Sequence, residues 1–133
     1  MTDNRTTSGR EAAGVSLVDG NPAIRHARQI MLRSENYDVR SYATCAALLA
    51  DPRSRDYPCI VLDVEMEGID GIDLLARMRA SGWQGRAILL DGSKSGDALA
   101  RQALLQGDRI ESRSIGDAAL LAAVAASLHR DAT

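Results

Sequence analysis

Three aspartates stand at the ends of short apolar runs, where carboxylates could do chemistry. Asp19 follows the run GVSLV, Asp63 ends CIVLD, and Asp91 ends AILLD. An apolar run that stops at a carboxylate is typical of a buried strand that ends at the surface. Carboxylates about 5 to 6 Å apart repel each other by about 3 kcal/mol at an effective dielectric of 20. They therefore need a cation, either a hard metal such as Mg²⁺ or a guanidinium such as that of Arg113.

The elements that must position these residues alternate along the chain. Strands are predicted to start near residues 15, 38, 59, 87 and 109, and helices are predicted between them and after the last one, including one over residues 95–106 and another over residues 117–128. This spacing fits a strand followed by a crossover helix, so we expect an α/β fold of five βα units around a five-stranded parallel sheet. Ligands of such sheets bind at the carboxyl ends of the strands, where the aspartates lie.

Apolar spacing also predicts which helix faces are buried. In the first helix we expect Ile24, Ala27, Met31 and Leu32 to face inward, with the arginines on the other side. In the last helix the predicted inner stripe consists of Leu121, Val124 and Leu128.

The domain boundaries follow from composition. Residues 1–13 are polar and rich in turn formers, which predicts a disordered leader. Residues 14–128 are expected to form the domain. Residues 129–133 are expected to be a tail or the start of a linker to another domain.

Composition narrows the classes of function. The chain has 133 residues and a net charge of −2, and it contains no basic run, which argues against a nucleic-acid groove. It shows neither a signal peptide nor a membrane span, so we expect a cytoplasmic protein without membrane contact. Cys45 and Cys59 have no CxxC spacing and no nearby histidine, which indicates buried thiols rather than a metal or redox site.

Three segments carry a resemblance to a known family: VDGNPAIR at residues 18–25, IVLD at 60–63 and MEGIDGIDLL at 66–75. Together they resemble the receiver domain of bacterial two-component response regulators, and most closely receivers of the FixJ type. The resemblance covers residues 14–128. It implies a flavodoxin-like (βα)5 receiver fold with strand order 2-1-3-4-5. It also implies that Asp63 is the phosphoacceptor and that Asp19 and Asp63 contribute to an acidic pocket for Mg²⁺.

The sequence departs from the family pattern around that pocket. Gly20 stands where the family has a second acidic metal ligand, so we expect any Mg²⁺ binding to be weak. Asp91 replaces the hydroxyl residue of the fourth strand, Ile110 replaces the switch aromatic, and Arg113 replaces the lysine that contacts the phosphoryl group. We expect Asp91 and Arg113 to form a bidentate pair that locks the fourth and fifth strands together. Ser114 and Glu67 also replace family prolines.

Two functions remain open at this stage. One is a receiver in a two-component phosphorelay, with a sensor histidine kinase or a phosphotransfer protein as its partner. The other is a phosphorylation-independent pseudo-receiver that binds a protein partner or a second copy through residues 96–128. In either case nucleic acid would be contacted only through an effector domain absent from this chain. A phosphatase of the haloacid dehalogenase type is disfavoured because Asp63 is followed by Val-Glu instead of the D-x-D pattern.

Overall fold

The computed structural model describes residues 12–64, 66, 68–92 and 107–128. The strands are β1 (Gly14–Val18), β2 (Asp38–Tyr42), β3 (Cys59–Asp63), β4 (Arg86–Asp91) and β5 (Arg109–Ser112). The helices are α1 (Pro22–Ser34), α2 (Cys45–Ala50), a 3₁₀ turn (Pro52–Asp56), α3 (Gly71–Ala80) and α4 (Asp117–Leu128). The predicted helix over 95–106, the tail 129–133 and all but the last two residues of the predicted leader lie outside the described residues.

All five strands run parallel in one sheet, in the order β2-β1-β3-β4-β5. This order confirms the predicted topology. Ala13, in the predicted leader, already takes part in the pairing of β1 with β2, because its carbonyl accepts a hydrogen bond from Asp38 N at 2.9 Å. The chain places β2 on one side of β1 and then crosses to place β3 on the other side. The carboxyl ends of β1 and β3 therefore open onto a shared crevice.

Side chains at the helix N-termini fix where the crossovers begin. The Asn21 side chain accepts hydrogen bonds from the first backbone N–H groups of α1, and Pro22 occupies the first turn. Thr44 caps α2 and Asp70 caps α3 in the same manner. The cap at Asn21 starts α1 after a three-residue connection from β1, and the cap at Asp70 starts α3 after a seven-residue connection from β3.

Two apolar layers cover the faces of the sheet. One layer joins the sheet to α2 and α3, with Leu48, Leu74 and Met78 at its centre. The other joins it to α1 and α4 through Leu32, Leu120 and Val124. Because both faces are covered, the middle strands are almost continuously buried, as their unbroken apolar runs predicted.

The predicted inner face of α1 is wrong in its first half. Leu32 is buried as expected, but Ile24 is 39% exposed and Ala27 is also exposed. The face that turns toward the sheet edge carries Arg25 and Arg28 instead, because both guanidinium groups bond to Asp19. Hydrogen bonding to that carboxylate and its backbone outweighs the modest gain from burying an alanine and one side of an isoleucine.

The prediction for α4 is correct in part. Val124 is buried, whereas Leu121 and Leu128 are only partly buried at the border of the apolar layer. The buried stripe is centred on Leu120, Ala123 and Val124. Ten of the twelve residues of this helix are apolar or alanine in character, so periodicity alone could not fix its rotation.

Both cysteines are free and buried, as predicted. Burial raises the pKa of the Cys45 thiol to about 11, with smaller contributions from the negative charges of Asp70 and Asp63. Burial also raises the pKa of Cys59. Neither thiol is therefore primed for nucleophilic chemistry at neutral pH. Among the described residues no helix is long and apolar enough to cross a membrane.

One buried carboxylate, that of Asp108, links α3, β4 and the start of β5 near the amino ends of the strands. Asp108 is 3% exposed and accepts two hydrogen bonds from the Arg79 guanidinium of α3, at 3.0 and 2.9 Å. The same carboxylate accepts the backbone N–H of Ala87 in β4 at 2.8 Å. It therefore fixes the start of β5 against both α3 and β4.

We expect Asp108→Asn to lower the free energy of unfolding by about 3 kcal/mol, because it leaves a partly buried guanidinium without its counter-charge. The matched control is Glu111→Gln, which makes the same chemical change in the exposed Arg109–Glu111 pair, where the charges are 3.7 Å apart. The control should lose less than about 1 kcal/mol. Urea unfolding of both variants measures the difference, and equal losses would contradict a structural role for the Asp108 pair.

Candidate functional site

The carboxyl edge of the sheet brings together most of the residues predicted to form a site. Asp19 follows β1, Asp63 ends β3, Asp91 ends β4, and Arg113 begins the turn after β5. A pocket of about 580 Å³ opens at this edge. Its lining consists of Asp19, Gly20, Asn21, Ile24, Ala43, Thr44, Asp63, Met66 and Arg113.

Asp63 and Arg113 form an ion pair inside this pocket. The Nη2 atom of Arg113 donates a hydrogen bond to Oδ1 of Asp63 at 2.6 Å. The Asp63 side chain is 15% exposed and that of Arg113 is 38% exposed, so the pair is reached from solvent through the guanidinium side. The short contact is that of a charge-assisted hydrogen bond.

This pair corrects the bidentate Asp91–Arg113 contact expected from the sequence. The link between Arg113 and Asp91 in the structure is made by the backbone, where Arg113 N donates to Asp91 O at 3.2 Å. The guanidinium passes over β4 and reaches the neighbouring strand β3. The sequence could not show this because a long arginine side chain spans more than one strand spacing.

Gly92 allows the arginine to make this crossing. A Cβ atom at this position would lie 2.4 Å from Nη1 and 2.7 Å from Cζ of Arg113. Any side chain there would push the guanidinium away from Asp63. Nothing in the local sequence pattern shows what passes above Gly92.

Asp19 is also held by an arginine. Its side chain accepts from Arg28 Nη1 at 3.3 Å and from the backbone N–H of Asn21 at 2.9 Å, and its carbonyl accepts from Arg25 Nη1 at 2.7 Å. Asp19 is 6% exposed, so this carboxylate lies against protein more than against water. Sequence reasoning missed Arg28. The available signal was a predicted buried carboxylate that needed a counter-charge from a neighbouring helix.

Each of the two pocket carboxylates is thus balanced by a guanidinium. Gly20, which also lines the pocket, has no side chain and so adds no carboxylate to it. The described residues contain no group of three or more His, Cys, Asp or Glu that could hold a metal ion. A divalent cation at these carboxylates would compete with Arg28 for Asp19 and with Arg113 for Asp63.

Gly20 leaves room for a side chain. A Cβ at this position would meet only the Ala43 carbonyl oxygen, at 3.9 Å, which is an ordinary contact. The backbone therefore does not require glycine here.

The remaining two predicted site positions lie beside the pocket. Asp91 is half-buried at the end of β4 and is not among the pocket-lining residues. Ile110 pairs in register with Leu89 and packs partly buried against the apolar layer of α2 and α3. An isoleucine there supplies apolar contact but no hydroxyl group.

The turn behind Asp63 is closely packed. Gly71 N donates to Val64 O at 3.1 Å, and a Cβ on Gly71 would lie 2.8 Å from Leu62 Cδ1. Gly68 has φ +79°, a left-handed conformation that favours glycine. Both glycines of the predicted loop therefore have a steric reason, which is to return the chain closely beneath the strand end that carries Asp63.

Comparison with known proteins identifies the family of this chain. Residues 15–124 match the family model of the response regulator receiver domain. The chain is 37% identical over 125 residues to the transcriptional regulatory protein FixJ of Azorhizobium caulinodans, covering 92% of this chain and 58% of that protein. It is 30% identical over 104 residues to the transcriptional regulatory protein TdiR of Thauera aromatica, covering 77% of this chain and 45% of that protein. The chain thus spans about half the length of the curated relatives that it matches.

Solved structures show the same fold at low identity. The receiver domain of a Luxo repressor protein from Vibrio parahaemolyticus superposes with a TM-score of 0.78 at 21% identity, covering 90% of this chain and 92% of that one. A structure of a CheX-CheY complex with BeF3 and Mg²⁺ from Borrelia burgdorferi gives 0.77 at 17% identity, covering 92% and 98%. Proteins of this family are signalling modules of two-component systems and not enzymes. On its fold, its family-model match and its similarity to FixJ, this chain belongs to the response regulator receiver domain family.

Proposed function

We propose that this chain is a phosphorelay receiver in which Asp63 is the phosphoacceptor and an arginine-neutralised acidic pocket replaces the usual one. The observation that carries the proposal is the 2.6 Å pair between Asp63 and Arg113 at the mouth of a solvent-accessible pocket. A carboxylate nucleophile needs positive charge beside it to accept a phosphoryl group, and this pair supplies both.

The reaction would be a transfer of one phosphoryl group. A carboxylate oxygen of Asp63 forms a bond to phosphorus, and the bond from phosphorus to the donor's nitrogen or oxygen breaks, with the electron pair leaving on the donor. Arg113 then exchanges its carboxylate contact for a phosphoryl oxygen, which an arginine can bind with two parallel N–H donors. In receivers with a bound Mg²⁺, the metal neutralises the incoming phosphoryl charge. Here the Arg113 guanidinium is a cation in contact with Asp63.

The proposed partners follow from the family. A sensor histidine kinase or a phosphotransfer protein would donate the phosphoryl group, in the cytoplasm. The curated relatives are named as transcriptional regulators, and this chain covers about half of their length. Contact with nucleic acid would therefore be made by an effector domain outside this chain.

A second function is favoured by the same ion pairs. If Arg113 already holds Asp63 and Arg28 already holds Asp19, the carboxyl edge of the sheet is charge-balanced without phosphate. The chain could then act as a pseudo-receiver that binds a protein partner or a second copy through residues 96–128. The phosphorylation experiment below distinguishes the two.

We expect wild-type protein to be labelled slowly by acetyl phosphate, because Asp91 offers a negative charge where a hydroxyl group would bind phosphate. The double variant Gly20→Asp with Asp91→Thr should be labelled faster. Phos-tag electrophoresis over a time course measures both, with Asp63→Asn as the negative control. No labelling of either protein would favour the pseudo-receiver, and equally fast labelling of both would show that the altered positions are not limiting.

A second prediction concerns the metal. Wild type should bind Mg²⁺ only in the high millimolar range, whereas Gly20→Asp should bind it roughly tenfold more tightly, because a third carboxylate joins the pocket without steric conflict. Amide chemical shifts during a Mg²⁺ titration give both affinities. Gly116→Asp is the control, since a Cβ there meets nothing within 4 Å. Saturation of wild type at low millimolar Mg²⁺, centred on Asp19 and Asp63, would contradict the expectation.

A third prediction concerns association. We expect any self-association through residues 96–128 to be the same in wild type and Asp63→Ala, because phosphate at Asp63 is not expected to favour the associated protein over the free protein. A ligand shifts an equilibrium only by its differential affinity for the two states. Arg113→Ala should weaken the association, because it takes a guanidinium away from the Asp63 carboxylate and leaves excess negative charge at this edge, whereas Asp63→Ala leaves only the more exposed guanidinium. Arg109→Ala, which removes an exposed arginine from the same strand, is the control. Sedimentation velocity measures all four proteins. Association that requires both Asp63 and a phosphodonor would show an ordinary phosphorylation switch.

A further inference from the structure

Arg28 connects the two acidic positions of the pocket. Its side chain is 12% exposed and lies between α1 and the turn after β5. One end of the guanidinium, Nη1, is 3.3 Å from Oδ2 of Asp19. The other end, Nη2, donates to the backbone carbonyl of Arg113 at 3.0 Å. Together with the Arg113–Asp63 pair, this makes a continuous chain of contacts from Asp19 to Asp63.

The contact with the Arg113 carbonyl is the step that positions the second arginine. Arg113 N donates to Asp91 O, and Arg113 O accepts from Arg28, so both polar groups of its backbone are fixed. The side chain then leaves this fixed backbone across Gly92 toward Asp63. Without the Arg28 contact, the backbone of Arg113 would keep only one of the two hydrogen bonds that orient its guanidinium.

We propose that Arg28 is a positioning residue that couples occupancy of Asp19 to the hold of Arg113 on Asp63. A cation that takes the Asp19 carboxylate competes with Arg28, and displacement of Arg28 releases the Arg113 carbonyl. Such coupling is reciprocal, so anything that draws Arg113 away from Asp63 also makes Arg28 easier to displace. The functional meaning of this coupling rests on the proposed role of Asp63, but the coupling itself does not.

A purely structural role for Arg28 predicts something different. If Arg28 only fastened α1 to the sheet edge, its removal would lower stability and leave the environment of Arg113 unchanged. Measuring the NMR signals around Arg113 and the metal affinity in the same variants distinguishes the two roles.

The experiment compares the whole chain as wild type, Arg28→Gln, Arg28→Lys and Arg33→Gln by ¹⁵N–¹H spectroscopy. The control Arg33 lies on the same helix and also donates to a backbone carbonyl, that of Val39 at 3.0 Å, but at the far end from the pocket. The probes are the amides of Ser114 and Ile115 and the Nε–Hε group of Arg113. Mn²⁺ is the metal, and its affinity is read from the broadening of amides near Asp19.

Arg28→Gln should shift all three probes and raise Mn²⁺ affinity about fivefold, the scale of losing one competing, partly exposed ion pair. Arg28→Lys keeps a positive charge near Asp19 but cannot hold both acceptors with a rigid fork. It should therefore shift the probes while leaving Mn²⁺ affinity within about twofold of wild type. Arg33→Gln should change neither quantity.

Two results would overturn the proposal: tighter Mn²⁺ binding in Arg28→Gln with the Arg113 probes unmoved, or an effect no larger than that of Arg33→Gln. If Arg28→Gln does not fold, wild type alone suffices, titrated with Mg²⁺. The proposal then requires the Nε–Hε group of Arg113 to move together with the amides next to Asp19, and a stationary Arg113 refutes it. Failure of the proposed function would appear separately, as no labelling of Asp63 by acetyl phosphate.

Discussion

The rest of this site depends on how negative charge is balanced at the carboxyl edge of a parallel sheet. The topology places the ends of β1 and β3 side by side, and each end carries an aspartate that opens onto the same pocket. Two carboxylates so placed repel each other, and this repulsion lowers stability unless a cation lies between or beside them. In this protein guanidinium groups provide the balance, from Arg28 to Asp19 and from Arg113 to Asp63. Because the balancing charges belong to side chains, the geometry of the site depends on α1 and on the turn after β5, which carry these side chains.

That dependence explains why small residues surround the site. Gly92 leaves the space through which the Arg113 side chain passes, and Gly71 lets the turn return directly under the end of β3. A metal ion can adjust its position in a pocket, but an arginine must be held by the backbone from which it extends. The backbone of Arg113 is accordingly anchored on both sides, by Asp91 and by Arg28.

The same arrangement bears on how such a receiver would respond to phosphate. Arginine carries a fixed charge and a planar set of donors, so it can leave a carboxylate and bind a phosphoryl group without any change in protonation. Ile110 adds only apolar contact to the neighbouring surface. Under the phosphoacceptor role that we propose for Asp63, a response to phosphate would be carried by movement of the Arg113 turn rather than by rotation of a hydrogen-bonding aromatic ring.

The sequence by itself determined the fold and which carboxylates stand at the carboxyl edge of the sheet. Apolar runs such as CIVLD identify strands buried on both faces, and a carboxylate at the end of such a run can only emerge at the sheet edge. Tertiary structure alone decided which charges meet. Arg113 reaches Asp63 instead of Asp91, and Arg28 turns inward to Asp19 although the helical pattern placed it outside. Local periodicity reports the average burial of a helix face, whereas an ion pair depends on the distance between atoms that are 50 residues apart in the chain.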